Sequence, residues 1–177
     1  VPRTCVWRWA LSCLALALQA GAQAQQVCTA GQVPSAPATR FSTDADGHVT
    51  DTANQLMWLR CPLGQAWQAG RCDGLAQQLD WAASSASAER VNASGELFYN
   101  DWRLPSLREL ATVAERACSQ PRINLSVFPD TPASAFWTGT PSLKSLHEAY
   151  AFDFGESGVV STARSALRHV RLVRNAP

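Results

Sequence analysis

The placement of cysteines around an N-terminal apolar run constrains this chain more than any other feature. Arg3 and Arg8 precede apolar residues from Trp9 to Leu18, and Ala22-Gln23-Ala24 forms a small-x-small site cleavable before Gln25. This is the pattern of a secretory signal peptide over residues 1–24. The run is about half of the roughly twenty residues that a bilayer-spanning helix needs. Export removes Cys5 and Cys13 and carries Cys28, Cys61, Cys72 and Cys118 to the periplasm, cell surface or extracellular space. Four thiols in an oxidising compartment imply two disulfides, with three possible pairings. Cys61 and Cys72 bracket a short glycine-containing loop and make the natural local pair. By elimination Cys28 joins Cys118 and pins the N-terminal segment to the end of a helix. The rival reading, a four-thiolate zinc site, would use C-x-x-C spacing, which is absent.

Charge narrows the function classes. Of 15 Lys and Arg against 14 Asp and Glu, the signal takes Arg3 and Arg8 and no acid, so the exported chain is slightly acidic. That excludes a strongly basic nucleic-acid binder. With 46% apolar residues the chain is also not a disordered one. Residues 25–39 are rich in Gln, Ala, Pro and Ser and form an extended arm or linker, and residues 40–177 make a single domain. Asp44-Ala-Asp-Gly47 is a turn leading into a strand at His48, and Thr52 to Gln55 is a second turn leading into Leu56 to Arg60. Ala82 to Val91 has helical composition. Ser106-Leu-Arg-Glu109 is a capping box, and Leu107, Leu110, Ala111, Ala114 and Ala117 place one face of the helix that follows in the core. Strand-like runs at Phe136–Gly139, Ala149–Phe154, Val159–Thr162 and Leu167–Arg174 close the chain, with a hairpin turn at Gly155-Glu-Ser-Gly158. The order predicts an α+β fold with an antiparallel β-sheet, two helices and long loops, stapled by disulfides.

Catalytic patterns are absent: His48, His147 and His169 are dispersed, and no H-E-x-x-H, G-x-S-x-G or phosphate-binding glycine loop occurs. No enzyme and no resident cofactor or metal is expected. Asp44, Asp46 and Asp51 resemble part of a calcium loop, but Gly47 comes too early and the closing Glu is missing. Binding residues are the better search. Trp58, Trp102 and Trp137 have the spacing of core residues, whereas Trp67 in the Cys61–Cys72 loop is a candidate exposed platform for stacking a sugar. Asp101, in Asn100-Asp101-Trp102, is a candidate polar ligand or a turn-capping carboxylate. From Ser157 onward there is no acid, and Arg164, Arg168, Arg171 and Arg174 form a candidate anion site, with His169 adding charge at mildly acid pH. The opposing reading is that these arginines protect a sheet edge.

In order along the chain, Asp46-Gly47-x-Val49-Thr50-Asp51, Leu56-Met57-Trp58-x-Arg60-Cys61-Pro62-Leu63-Gly64-Gln65, Asp101-Trp102-Arg103-Leu104-Pro105-Ser106-x-Arg108-Glu109-Leu110, Cys118 with Pro121-x-Ile123-Asn124, Phe128-Pro129-x-Thr131-Pro132, Phe136-Trp137-Thr138 and Val170-Arg171-Leu172-Val173-Arg174 resemble the Lcl C-terminal domain family, named for the terminal domain of the Legionella collagen-like adhesin. The resemblance spans residues 40 to 174. It implies an exported bacterial domain related in fold to C-type lectins, and for the adhesin it implies adhesion to sulfated glycosaminoglycans. No collagen-like Gly-x-y stalk is present here. The expected function is therefore a non-catalytic, lectin-like binding domain for sulfated or acidic glycans. The alternative is an envelope- or pilus-associated assembly module that binds a surface protein. A third reading, a formylglycine-oxidase-like enzyme, rests on the Arg103-Leu104-Pro105 turn and would need a reactive thiol. Partners are then a glycan or an envelope protein, with no nucleic acid and no membrane insertion once the signal is removed.

Overall fold

The computed structural model describes residues 26–177; the expected signal peptide lies outside them. In chain order the elements are β1 (Val27–Cys28), β2 (Phe41–Thr43), β3 (His48–Asp51), β4 (Leu56–Leu59), β5 (Ala66–Gln68), β6 (Arg71–Asp73), β7 (Gln78–Leu79), α1 (Trp81–Ser94), α2 (Leu107–Thr112), β8 (Cys118–Ser119), β9 (Ala135–Pro141), β10 (Glu148–Asp153), β11 (Gly158–Ala163), β12 (Arg168–His169) and β13 (Val173–Asn175). A four-stranded sheet runs β13-β4-β3-β2 and a five-stranded sheet β11-β10-β9-β12-β7; β5 with β6 and β1 with β8 make two small ladders. All pairings are antiparallel except β12 with β9. The α+β expectation holds.

Turn chemistry sets the first sheet. Asp44 Oδ1 accepts from the Asp46 and His48 amides, at 3.0 and 2.8 Å. Gly47 has φ +86°, and a Cβ there would stand 2.7 Å from the Trp67 Cβ, so both the backbone and the packing require glycine. The two sheets share a core of Val49, Trp58, Leu110, Val113, Ile123, Phe128, Phe136 and Phe154, all inaccessible to solvent. Trp58, Trp102 and Trp137 are buried, as expected of large side chains with a single polar group.

Both helices form, with shifted limits. In α1 the Asp80 carboxylate caps the Ala83 amide at 2.8 Å, and Gly95, at φ +68°, ends the helix. The capping box of α2 is complete, with Glu109 N–H donating to Ser106 Oγ and Ser106 N–H to Glu109 Oε2. Arg103 adds two bonds to the same carboxylate, at 2.8 and 2.7 Å. The expected run to Ala117 stops at Thr112. Ala114 leaves the helix to bridge with Ile123, yet Ala114 and Ala117 remain buried in non-helical chain.

The N-terminal arm is docked rather than a free linker. Disulfides join Cys61 to Cys72, as their short loop predicts, and Cys28 to Cys118, as elimination predicts, although Cys118 lies in β8 rather than at the end of a helix. The Glu115 side chain, on a residue only 3% exposed, accepts the amides of Ser35, Ala36 and Ala117 at 3.0, 2.9 and 2.9 Å. Arg40 binds the buried Asp51 carboxylate and the Thr112 carbonyl, at 2.9 and 2.7 Å. Burial raises the Glu115 pKa, but the amides of Ala117, Ala36 and Ser35 outweigh it and hold it below the ordinary 4.5. The resulting stability is fully present above the unfolded value and lost as pH falls through the folded one. Glu115→Gln is expected to destabilise the domain by about 2–3 kcal/mol at neutral pH, and the difference from wild type in urea melts should narrow as pH drops below 4.5.

Candidate functional site

The structure disperses the residues singled out from the sequence. Trp67 is half-buried, with the Arg60 guanidinium 4.0 Å from its ring centroid and Gly47 against its Cβ. Its predicted role as a free stacking platform does not fit that covered ring. Asp101 and Arg174 do meet, through bonds of 2.6 and 3.2 Å, and Arg174 also lies 3.9 Å over the Tyr99 ring. The bond from Arg174 holds the Asp101 pKa below its usual range. Arg164 stacks 4.2 Å over Trp81 and donates to the Glu148 carbonyl. Arg168 donates to Thr162 Oγ1 at 3.3 Å.

Arg171 departs furthest from the expectation. It is completely buried where the chain crosses from β12 to β13, so it is not accessible to an anion in solution. Its guanidinium donates to the carbonyls of Leu59 and Arg60 and, at 2.7 Å, to Thr131 Oγ1, and it packs 4.9 Å from the Phe128 ring centroid. Desolvation without a carboxylate partner pushes its pKa down to about 9. His169 is buried against Phe136, and burial lowers its pKa despite the backbone contact with Gln77, which opposes the added positive charge expected of it.

The acids of the partial calcium pattern separate. Asp51 is buried, bound to Arg40, and also accepts from the Asn54 amide group at 2.8 Å. Asp44 and Asp46 instead sit near His48, with ligand-type atoms all within 4.8 Å. Asp44 Oδ2 lies 2.8 Å from His48 Nδ1, and the ring stacks on Trp102.

One concavity was not legible in the sequence. An open cleft of about 570 Å³ separates the β5–β6 hairpin and the Gly74–Ala76 segment from the loop around Gln120, Leu125 and Asp130. A second cleft of about 380 Å³ shares Gln120 and Ala133 with the first and continues to Asp153, Glu156 and Arg168. The Gln120 side chain reaches across to Glu156 Oε1 at 3.0 Å. Arg71 pairs with Asp73 at one end, and Leu75, 90% exposed, stands on the rim. No aromatic side chain lines either cleft. The walls come from loops remote in sequence and without internal periodicity, so no motif could have found them. Phe98, 83% exposed and edge-on to Tyr99, was also missed.

A disulfide-bonded α+β domain with an open, mixed-charge cleft is the class these observations define. Residues 47–174 match the model of the Lcl C-terminal domain, and the chain belongs to that family. No curated protein matches the chain. No helix among the described residues is long and apolar enough to cross a membrane.

Replacing Arg171 tests its structural role. Arg171→Met leaves two carbonyls and the Thr131 hydroxyl without their donor, and is expected to destabilise the fold by about 2–4 kcal/mol. Arg171→Lys should recover only part of this in thermal melts, because an ammonium lacks the planar fork that reaches all three acceptors.

Proposed function

We propose that this chain is an exported, non-catalytic binding domain whose ligand is an extended polypeptide segment of an envelope or surface protein, seated in the paired clefts. The observation that carries this reading is the cleft itself. It is open and lined mostly by loop residues, with an exposed leucine on its rim and no aromatic ring for a sugar to stack on. Asp73, Asp130, Asp153 and Glu156 against Arg71 and Arg168 make it net acidic, which opposes a polyanion. Two disulfides support export. They also leave none of Cys28, Cys61, Cys72 and Cys118 free for oxidase-type thiol chemistry. The two helices beside antiparallel sheets support a fold related to C-type lectins. No resident metal or cofactor belongs to the reading.

Adhesion to sulfated glycans has less support, because Arg171 is enclosed, Arg174 is committed to Asp101, and Arg164 and Arg168 are directed into separate contacts. A neutral glycan retains one specific observation in its favour, the exposed Phe98 ring, which stands edge-on to Tyr99.

Labelled mature protein applied to peptide and glycan arrays distinguishes these readings. Signal on peptides that falls about tenfold with Leu75→Asp or Ala133→Phe is expected, together with no heparin retention at physiological salt. Heparin retention that requires Arg164 and Arg168 would overturn the proposal, as would glycan signal abolished by Phe98→Ala with no peptide signal.

A further inference from the structure

The outer edge of the five-stranded sheet is a second interaction surface, which adjoins the second cleft at the Asp153–Glu156 turn. β11 is the terminal strand of that sheet, and its sequence, Gly-Val-Val-Ser-Thr-Ala, contains no charge and no proline. Edge strands normally carry such residues to prevent pairing with another chain. The direction of its free backbone groups follows from register. Ala163 lies opposite Glu148, so Arg164 lies opposite His147, and the Arg164 amide donates to the His147 carbonyl at 2.9 Å. Antiparallel ladders alternate bonded and non-bonded pairs. Thr162, Val160 and Gly158 therefore bond toward β10. Val159 and Ser161 direct both N–H and C=O away from the sheet, as Ala163 does its N–H. The Ala163 carbonyl already accepts from Ala166 N–H, and among the described residues no other backbone partner meets this edge. The Val159 side chain is 53% exposed beside it.

The two ends of the strand differ in charge. Asp153 and the exposed Glu156 precede Gly158, with Arg122 as the nearby cation. At the other end Arg164 follows directly. Lys144 sits in the β9–β10 loop, held by Ser142, whose hydroxyl contacts Ser161 at 3.0 Å. The acid at this end, Glu148, accepts a bond from Ser161 Oγ at 2.7 Å. An antiparallel copy centred on Ser161 sets Val159 against Ala163 of the second chain on both sides of a two-fold axis. It also brings each Asp153–Glu156 end to the Lys144–Arg164 end opposite.

We propose that the β11 edge pairs with β11 of a second copy of this chain, forming a symmetric dimer whose sheet is continuous across the two-fold axis and whose ends are matched in charge. The pairing is isologous and closes on itself, so it yields a dimer and no filament. Asp153 and Glu156 also line the second cleft, so the two copies meet beside it and two binding faces are presented together.

Amide exchange of the oxidised mature protein at increasing concentration reads the edge without altering it. The Ser161 and Ala163 amides are expected to gain protection with concentration while Val160 and Thr162 stay constant, as sedimentation velocity reports a monomer–dimer equilibrium. Val159→Lys should weaken the dimer about tenfold with an unchanged thermal melt. Glu156→Lys and Lys144→Glu should each weaken it, and the two combined in one chain should restore it. A monomer at concentrations up to about 1 mM, the weak end of specific association, overturns the proposal. A dimer that leaves those two amides unprotected also overturns it, as does one indifferent to Val159→Lys or not restored by the charge exchange.

Discussion

The fold is organised around a cation enclosed where its two sheets meet. Between β12 and β13 the chain passes from the five-stranded sheet to the four-stranded one, and Arg171 lies at the crossing. Strand ends at such a junction leave carbonyls without ladder partners, and a buried carbonyl without a donor is destabilising. A planar guanidinium can serve several acceptors at once. Here it serves Leu59, Arg60 and Thr131, while Phe128 lies near it. Because the acceptors are carbonyls and a hydroxyl, desolvation is not offset by an opposite charge. The lowered pKa records that imbalance.

A second set of polar contacts ties the chain's beginning to its middle. Glu115 gathers amides from Ser35, Ala36 and Ala117, and Arg40 joins Asp51 to the end of α2. The Cys28–Cys118 bond closes the same region covalently. Short elements bury little apolar area each, so directed contacts of this kind carry much of the burden of specifying one arrangement. They explain why α2 is short: the residues after Thr112 bind the arm and Ile123 instead of continuing the helix.

These commitments redistribute the surface available for function. Of the arginines that suggested a polyanion site, one is structural, one is bound to Asp101, and the others face separate contacts. What remains open is a cleft between loops and an unpaired strand edge. Family membership and this geometry support a binding role, with recognition by shape and mixed charge.

The sequence by itself determined the local elements: the Asp44–Gly47 turn, the capped start of α2, the β10–β11 hairpin, the buried tryptophans, the disulfide pairing and the family. The turn, cap, hairpin and Cys61–Cys72 loop are written in neighbouring residues, where cap chemistry and loop length act directly on the backbone, while Cys28–Cys118, with a sequence separation of 90, follows by elimination. Alternation along Leu167–Arg174 suggested one continuous strand with exposed arginines, but only the packing of two sheets decided that the chain crosses between them and encloses Arg171. Likewise, the paired clefts join Gly74–Ala76 to Gln120, Ala133 and Glu156. Such contacts depend on which remote segments are brought together, and no short-range pattern encodes that.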